Sequence, residues 1–140
     1  MSYLDDVEQL FRAIKAHKKS KLLGGGFDMT VEQWAILEQL RQTPGITQKQ
    51  LAQKTDKDPA AIMRTLNLLE SKDIVVRKNP PGNKRDHNIF LSEYGTRLLH
   101  KLWPTTIDIR AQGTKGLTAI EMDEFLRILN MLKQNFGSSK

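Results

Sequence analysis

The chain has 140 residues, 39% apolar and 27% charged, with 22 lysines and arginines against 16 acids and a net charge of +6. It has no cysteine, which excludes disulfide scaffolds, zinc fingers and thiol redox switches. No apolar run nears the roughly 20 residues that a membrane span needs, and the basic surplus points to a polyanionic partner.

One compact domain is the expectation at this length. Asp5, Asp6 and Glu8 stand where a secretory leader would carry positive charge, so a cytoplasmic protein is expected. Residues 2–23 are predicted helical, because Leu4, Val7, Leu10, Phe11 and Ile14 recur at steps of three and four. Gly24-Gly25-Gly26 should end that helix. Thr30 and Gln33 have capping-box spacing, and Val31, Trp34, Leu37 and Leu40 give the next helix its apolar face, up to Pro44-Gly45.

Thr47 with Gln50 repeats the capping signal and opens a short helix through Leu51 and Ala52 to about Thr55. Asp58-Pro59 then combines a strong N-cap residue with a proline suited to the first helical position. That helix carries Ile62, Leu66 and Leu69 inward and runs to Ser71-Lys72. Residues 74–78 and 87–91 read as two strands around Pro80-Pro81-Gly82-Asn83, a hairpin with a long basic tip. Ser92 caps a further helix, which Pro104 should kink or interrupt. Gly113 and Gly116 mark a loop, and Thr118 with Glu121 caps a last helix bearing Ile120, Phe125, Ile128, Leu129, Leu132 and Phe136.

Two helices joined by a short turn and followed by a basic two-stranded hairpin make a winged helix-turn-helix. The fold expected is therefore mainly α with a small β-hairpin wing. Charge supports it. From Lys54 to His87, eight basic residues face five acids, a surplus of +3 and half that of the whole chain. Catalysis is not expected. His17, His87 and His100 are scattered, no Gly-x-Ser-x-Gly or phosphate loop is present, and no metal site or cofactor is indicated.

The stretch TQKQLAQKTDKDPAAIMRTLNLLESKDIVVRK and the wing NKRDHNIFLSEYG resemble the MarR family (multiple antibiotic resistance regulators) over nearly the whole chain. The resemblance implies a homodimeric regulator, in the expected case a repressor, that reads a pseudo-palindromic operator in duplex DNA. Its head would span about 30–92, and residues 2–23 and 93–137 would form the dimerisation helices. Carried over residue by residue, the recognition helix is about Asp58–Ser71, with Lys57, Ala60, Ala61, Arg64 and Thr65 on its exposed N-terminal face.

A bidentate contact from Arg64 to guanine would contribute about 1–3 kcal/mol of discrimination. Ala60 and Ala61 reach only thymine methyls, or simply favour the helix. Thr47, Gln48 and Lys49 suit phosphates through the free amides of their helix start. Lys84 and Arg85 form the wing tip, and the resemblance places Arg85 in the minor groove. Where the family usually has Asp, this wing has Asn83, a neutral acceptor.

Phe11, Ile14, Leu126, Leu129, Leu132 and Phe136 are candidates for packing against a twin chain. A small aromatic or anionic effector is also implied by the family, between head and dimer helices, with His17, Phe27, Trp34 and Trp103 as candidate contacts. The alternative is a winged-helix module that binds protein or RNA without operator recognition.

Overall fold

The computed structural model describes residues 2–55, 57–79, 81–82 and 87–137. Asn83, Lys84 and Arg85, expected at the wing tip, lie outside the described residues. The elements are α1 (Tyr3–Gly24), α2 (Val31–Gln42), β1 (Ile46–Thr47), α3 (Gln48–Thr55), α4 (Pro59–Ser71), β2 (Val75–Lys78), β3 (Asn88–Leu91), α5 (Glu93–Gly113) and α6 (Ala119–Gly137). Every helix and both wing strands fall within two residues of the expected bounds, apart from α5. The chain divides into two compact units, Met1–Thr105 and Thr106–Lys140.

The capping signals act as the spacing implies. Thr30, Thr47 and Thr118 each accept from the amide three residues on, at 3.0–3.1 Å. Gln33, Gln50 and Glu121 each reach back to the cap residue's amide at 2.9–3.1 Å. Each box satisfies two amides that the first turn leaves without a partner. Asp58 departs from expectation. It stands at the N-cap of α4, and its carbonyl accepts from Ile62 N–H, but its carboxylate makes no capping bond. Pro59 has already removed one amide from that turn, so the first turn of α4 is left open.

Two helices end on left-handed residues. Gly26, at φ 73°, lets Phe27 N–H reach the Leu22 carbonyl beyond α1. Asp73, at φ 63°, does the same for α4, where Ile74 N–H reaches the Leu69 carbonyl and Asp73 N–H that of Glu70. An L side chain at that φ is strained, and aspartate tolerates it better than most.

In the first unit β3 lies between β1 and β2, antiparallel to both. Ile46 pairs with Ile89, and Arg77 with Ile89 across the other edge. The two-residue strand β1 is too short to show a period in the sequence. Leu37, Leu40, Ile46, Leu51, Ile62, Leu66, Leu69, Ile89 and Leu102 are all 2% exposed or less and make up the centre of the core. Each such side chain contributes about 1.5–3 kcal/mol by leaving water. α5 runs through Pro104 without interruption. Proline's fixed φ is already helical, and a 21-residue helix tolerates the loss of one hydrogen bond. Gly113 accordingly ends α5 instead of lying in the loop.

The second unit holds the last turns of α5 and all of α6, in which no residue is buried. No helix among the described residues is long and apolar enough to cross a membrane.

The start of α5 is pinned to the end of α4. Ser92 N–H donates to the Ile74 carbonyl at 2.9 Å, its hydroxyl bonds the Asp73 carbonyl, and Gly95 N–H donates to the Ser92 hydroxyl at 2.9 Å. A Cβ on Gly95 would overlap the Ile74 carbonyl oxygen. Gly95→Ala should therefore lower stability by about 1–3 kcal/mol, the range for overpacking a closed site. Asp73→Gly, which relieves the left-handed strain, should raise it by up to about 1 kcal/mol. Urea denaturation of the two variants checks both signs.

Candidate nucleic-acid interface

The helical period divides α4 into three strips. Ile62, Leu66 and Leu69 are buried in the core. Pro59, Met63 and Asn67, four residues apart, line one side of an open crevice of about 830 Å³. Thr47, Gln48, Lys49, Ala52 and Gln53 of β1 and α3, Lys57, and Arg77 and His87 of the hairpin complete its lining. Lys49, Lys57 and Arg77 thus converge with His87 on one concave face. The crevice brings together Thr47, Gln48, Lys49 and Lys57 as the sequence suggested. Ala60 and Arg64 stand exposed on the solvent side of α4.

Two expected contacts fall elsewhere. Ala61 and Thr65 are half-buried and line a separate cavity on the opposite side of α4, where the Thr65 hydroxyl bonds the Ala61 carbonyl at 3.0 Å. The reason is angular. Residues at 100° steps place 61 and 65 more than a third of a turn from the strip of 59, 63 and 67. Met63, Asn67, Gln53, Arg77 and His87 were not singled out in the sequence. The i, i+4, i+8 relation of Pro59, Met63 and Asn67 was a signal for two of them. Arg77 and His87 reach the crevice only because the hairpin folds back.

The cavity beyond Ala61 and Thr65 has a volume of about 340 Å³ and a mainly apolar lining. Phe11 and Ile14 of α1, Val31, Ala35 and Ile36 of α2, and Ile62 of α4 form its walls, with Lys15, Lys18, Lys54 and Lys57 around it. Lys15 Nζ meets the Glu32 carboxylate at 2.6 Å. That bond from Lys15, followed by a backbone hydrogen bond at Glu32, holds the Glu32 carboxyl below its ordinary value.

None of the four residues expected to meet an effector lines this cavity. Trp34 is 4% exposed and belongs to the core, with the Lys18 ammonium 5.8 Å from its ring centre. His17 and Phe27 are half-buried, and neither lines the cavity. Trp103 lies under the Arg41 guanidinium, 5.4 Å from its ring centre, at a different surface cleft. Of the four, only Trp34 was taken into the core; the ring that does line the cavity is that of Phe11.

Residues 27–86 match the sequence model of the MarR family. Over the whole chain the fold is similar to that of the transcriptional regulator SlyA, at TM-score 0.86 and 19% identity, covering 97% of this chain and 94% of that one. It is also similar to a Listeria monocytogenes protein complexed with 26mer DNA, at TM-score 0.86 and 21% identity, covering 96% and 89%. A third likeness is to S. aureus MepR in a DNA complex, at TM-score 0.85 and 22% identity, covering 96% and 98%. At these identities the likeness to the solved structures is one of fold.

The depressed carboxyl of Glu32 has a sign that can be tested. Its stabilising contribution is full above the unfolded value near 4.5 and is lost as pH falls through the lower folded value. Lys15→Met should return the Glu32 titration, followed by NMR, to the ordinary carboxylate range. The pair is half exposed, so the loss of stability at neutral pH should stay under about 1 kcal/mol.

Proposed function

We propose that this chain, whose residues 27–86 match the MarR family's sequence model, is a winged-helix regulator of that family that binds duplex DNA sequence-specifically in the cytoplasm. The observation that carries the reading is the cationic crevice shared by α3, α4 and the hairpin, beside the exposed Ala60 and Arg64. In this reading α4 enters the major groove by its N-terminal half, and Arg64 reads a base edge. Thr47, Gln48, Lys49 and Lys57 hold phosphates on either side. The open first turn of α4 adds free amides for the same backbone. Lys84 and Arg85 of the wing tip take the minor groove. The family is not an enzymatic one, and the proposed activity is recognition alone.

The regulator acts as a homodimer and a repressor. Supporting the dimer, α1 exposes Leu4, Val7, Leu10, Phe11 and Ile14, and α6 exposes Ile120, Phe125, Leu126, Ile128, Met131 and Phe136. Leu129 and Leu132 are half-buried on the same helix. Apolar surface of this extent marks an interface, and residues 2–23 and 93–137 supply it. Two-fold pairing presents two α4 helices to a pseudo-palindrome about 34 Å apart. The cavity behind α4, apolar within and ringed by lysines, suits a small aromatic anion. Ala61, Ile62 and Thr65 give such an effector direct contact with the reading helix, and it shifts DNA binding only by favouring one head position over another.

Selection from random duplexes should yield a two-fold motif. With about 6–10 phosphates engaged, affinity for it should fall by about 10³–10⁵ between 50 and 200 mM salt. Arg64→Ala should flatten the preference at one base position per half-site, whereas a uniform weakening on all sequences would reassign Arg64 to a phosphate. Flat binding across the salt range would remove the DNA reading altogether.

A further inference from the structure

Arg77 sits in β2, at the stem of the hairpin, with its side chain only 16% exposed. Its Nη1 donates to Asn67 Oδ1 at 2.8 Å and lies 3.2 Å from Glu70 Oε1. One guanidinium thus ties the hairpin to successive turns of α4, the helix on the other wall of the crevice. Stability alone is a poor reason to keep a charge there. Taking a guanidinium out of water is costly, and a well-packed apolar side chain of similar size is often as stabilising or more so. Arg77 Nε and Nη2 are moreover buried without a protein partner among the described residues, so the group is not fully compensated.

A planar, directional donor offers a fixed angle instead. The four-residue ladder of β2 and β3 spans about 13 Å. A rotation of about 10° at its base therefore moves the far end by about 2 Å, the difference between a hydrogen bond and none. We infer that Arg77 is a positioning residue, whose bonds to Asn67 and Glu70 set the hairpin at one angle to α4 so that both elements meet one duplex in register. It acts through the hairpin and not by contact with a base. The inference rests on the DNA-binding reading above.

The test compares selected motifs and affinities for wild type, Arg77→Met, Arg77→Lys and a core control, Leu40→Val, which lowers stability from within α2. Arg77→Met should lose at least about 10-fold in affinity for the wild-type site. Its motif should lose information at the positions flanking those read by α4, while the α4 positions persist. Arg77→Lys keeps a cation near Glu70 and should recover part of the flanking preference. The control should keep the whole motif, since loss of stability alone does not reshape it.

If Arg77→Met keeps motif and affinity within two-fold of wild type, or loses all positions evenly as the control does, the inference is overturned while the DNA reading stands. If wild type itself selects no motif, both fall. Circular dichroism establishes that each variant is folded, and should Arg77→Met fail to fold, Arg77→Lys against wild type carries the same comparison.

Discussion

The junction at Ile74 holds the head together. Three elements meet there within a few residues: the left-handed end of α4 at Asp73, the start of β2, and the first turn of α5. The Ile74 carbonyl accepts from Ser92 N–H, and the absent side chain of Gly95 lets the turn of α5 close over it. No other residue type permits that approach, because any Cβ would occupy the carbonyl's place. The junction fixes the direction in which the hairpin leaves α4, and the ends of β2 and β3 are secured by the same few bonds. A two-stranded hairpin by itself is marginal in water, so its usefulness as a reading element depends on this anchorage.

From that anchor the chemistry of the head follows by angle. α4 is one helix with three strips, and each strip meets a different environment. The buried strip of Ile62, Leu66 and Leu69 is what keeps the helix in place. The strip of Pro59, Met63 and Asn67 looks onto the cationic crevice, and that of Ala61 and Thr65 onto the apolar cavity. A helix about 10 Å across therefore separates a surface rich in basic side chains from a mainly apolar cavity. Close packing makes such an arrangement responsive, since side chains displaced on one face have little room to relax before the helix itself moves.

Electrostatics divide along the same line. The crevice collects Lys49, Lys57, Arg77 and His87, and Arg77 engages the Glu70 carboxylate at 3.2 Å. Pairing that carboxylate with a half-buried guanidinium offsets its charge beside the basic side chains of the crevice. On the cavity side Lys15 and Glu32 pair at 2.6 Å, which leaves the neighbouring lysines as the net charge at its rim. The surface ion pairs elsewhere, such as Arg127 with Glu124 at 2.8 Å, are exposed and add little.

Much of this was legible in the chain itself. Capping boxes at Thr30, Thr47 and Thr118, the Asp58-Pro59 start, and the apolar periods depend on residues three or four apart, so local chemistry sets the helices and their ends. The hairpin and the basic surplus around it were equally local, and the motif from Thr47 to Gly95 carried the resemblance to the MarR family. Side-chain facing was harder. Ala61 and Thr65 turned away from the crevice because the core strip fixes the rotation of α4, a property of packing and not of spacing alone. Trp34 entered the core, and Pro104 was absorbed by α5, because burial and helix length outweighed what each residue signals by itself. Arg77, ten residues from Asn67 in sequence, joins it only once the hairpin has folded back on α4. The sequence by itself thus determined which segments form helices and strands and what charge they carry. Only the tertiary structure decided which side chains share a surface, because that depends on how far each element is rotated when its apolar strip is buried.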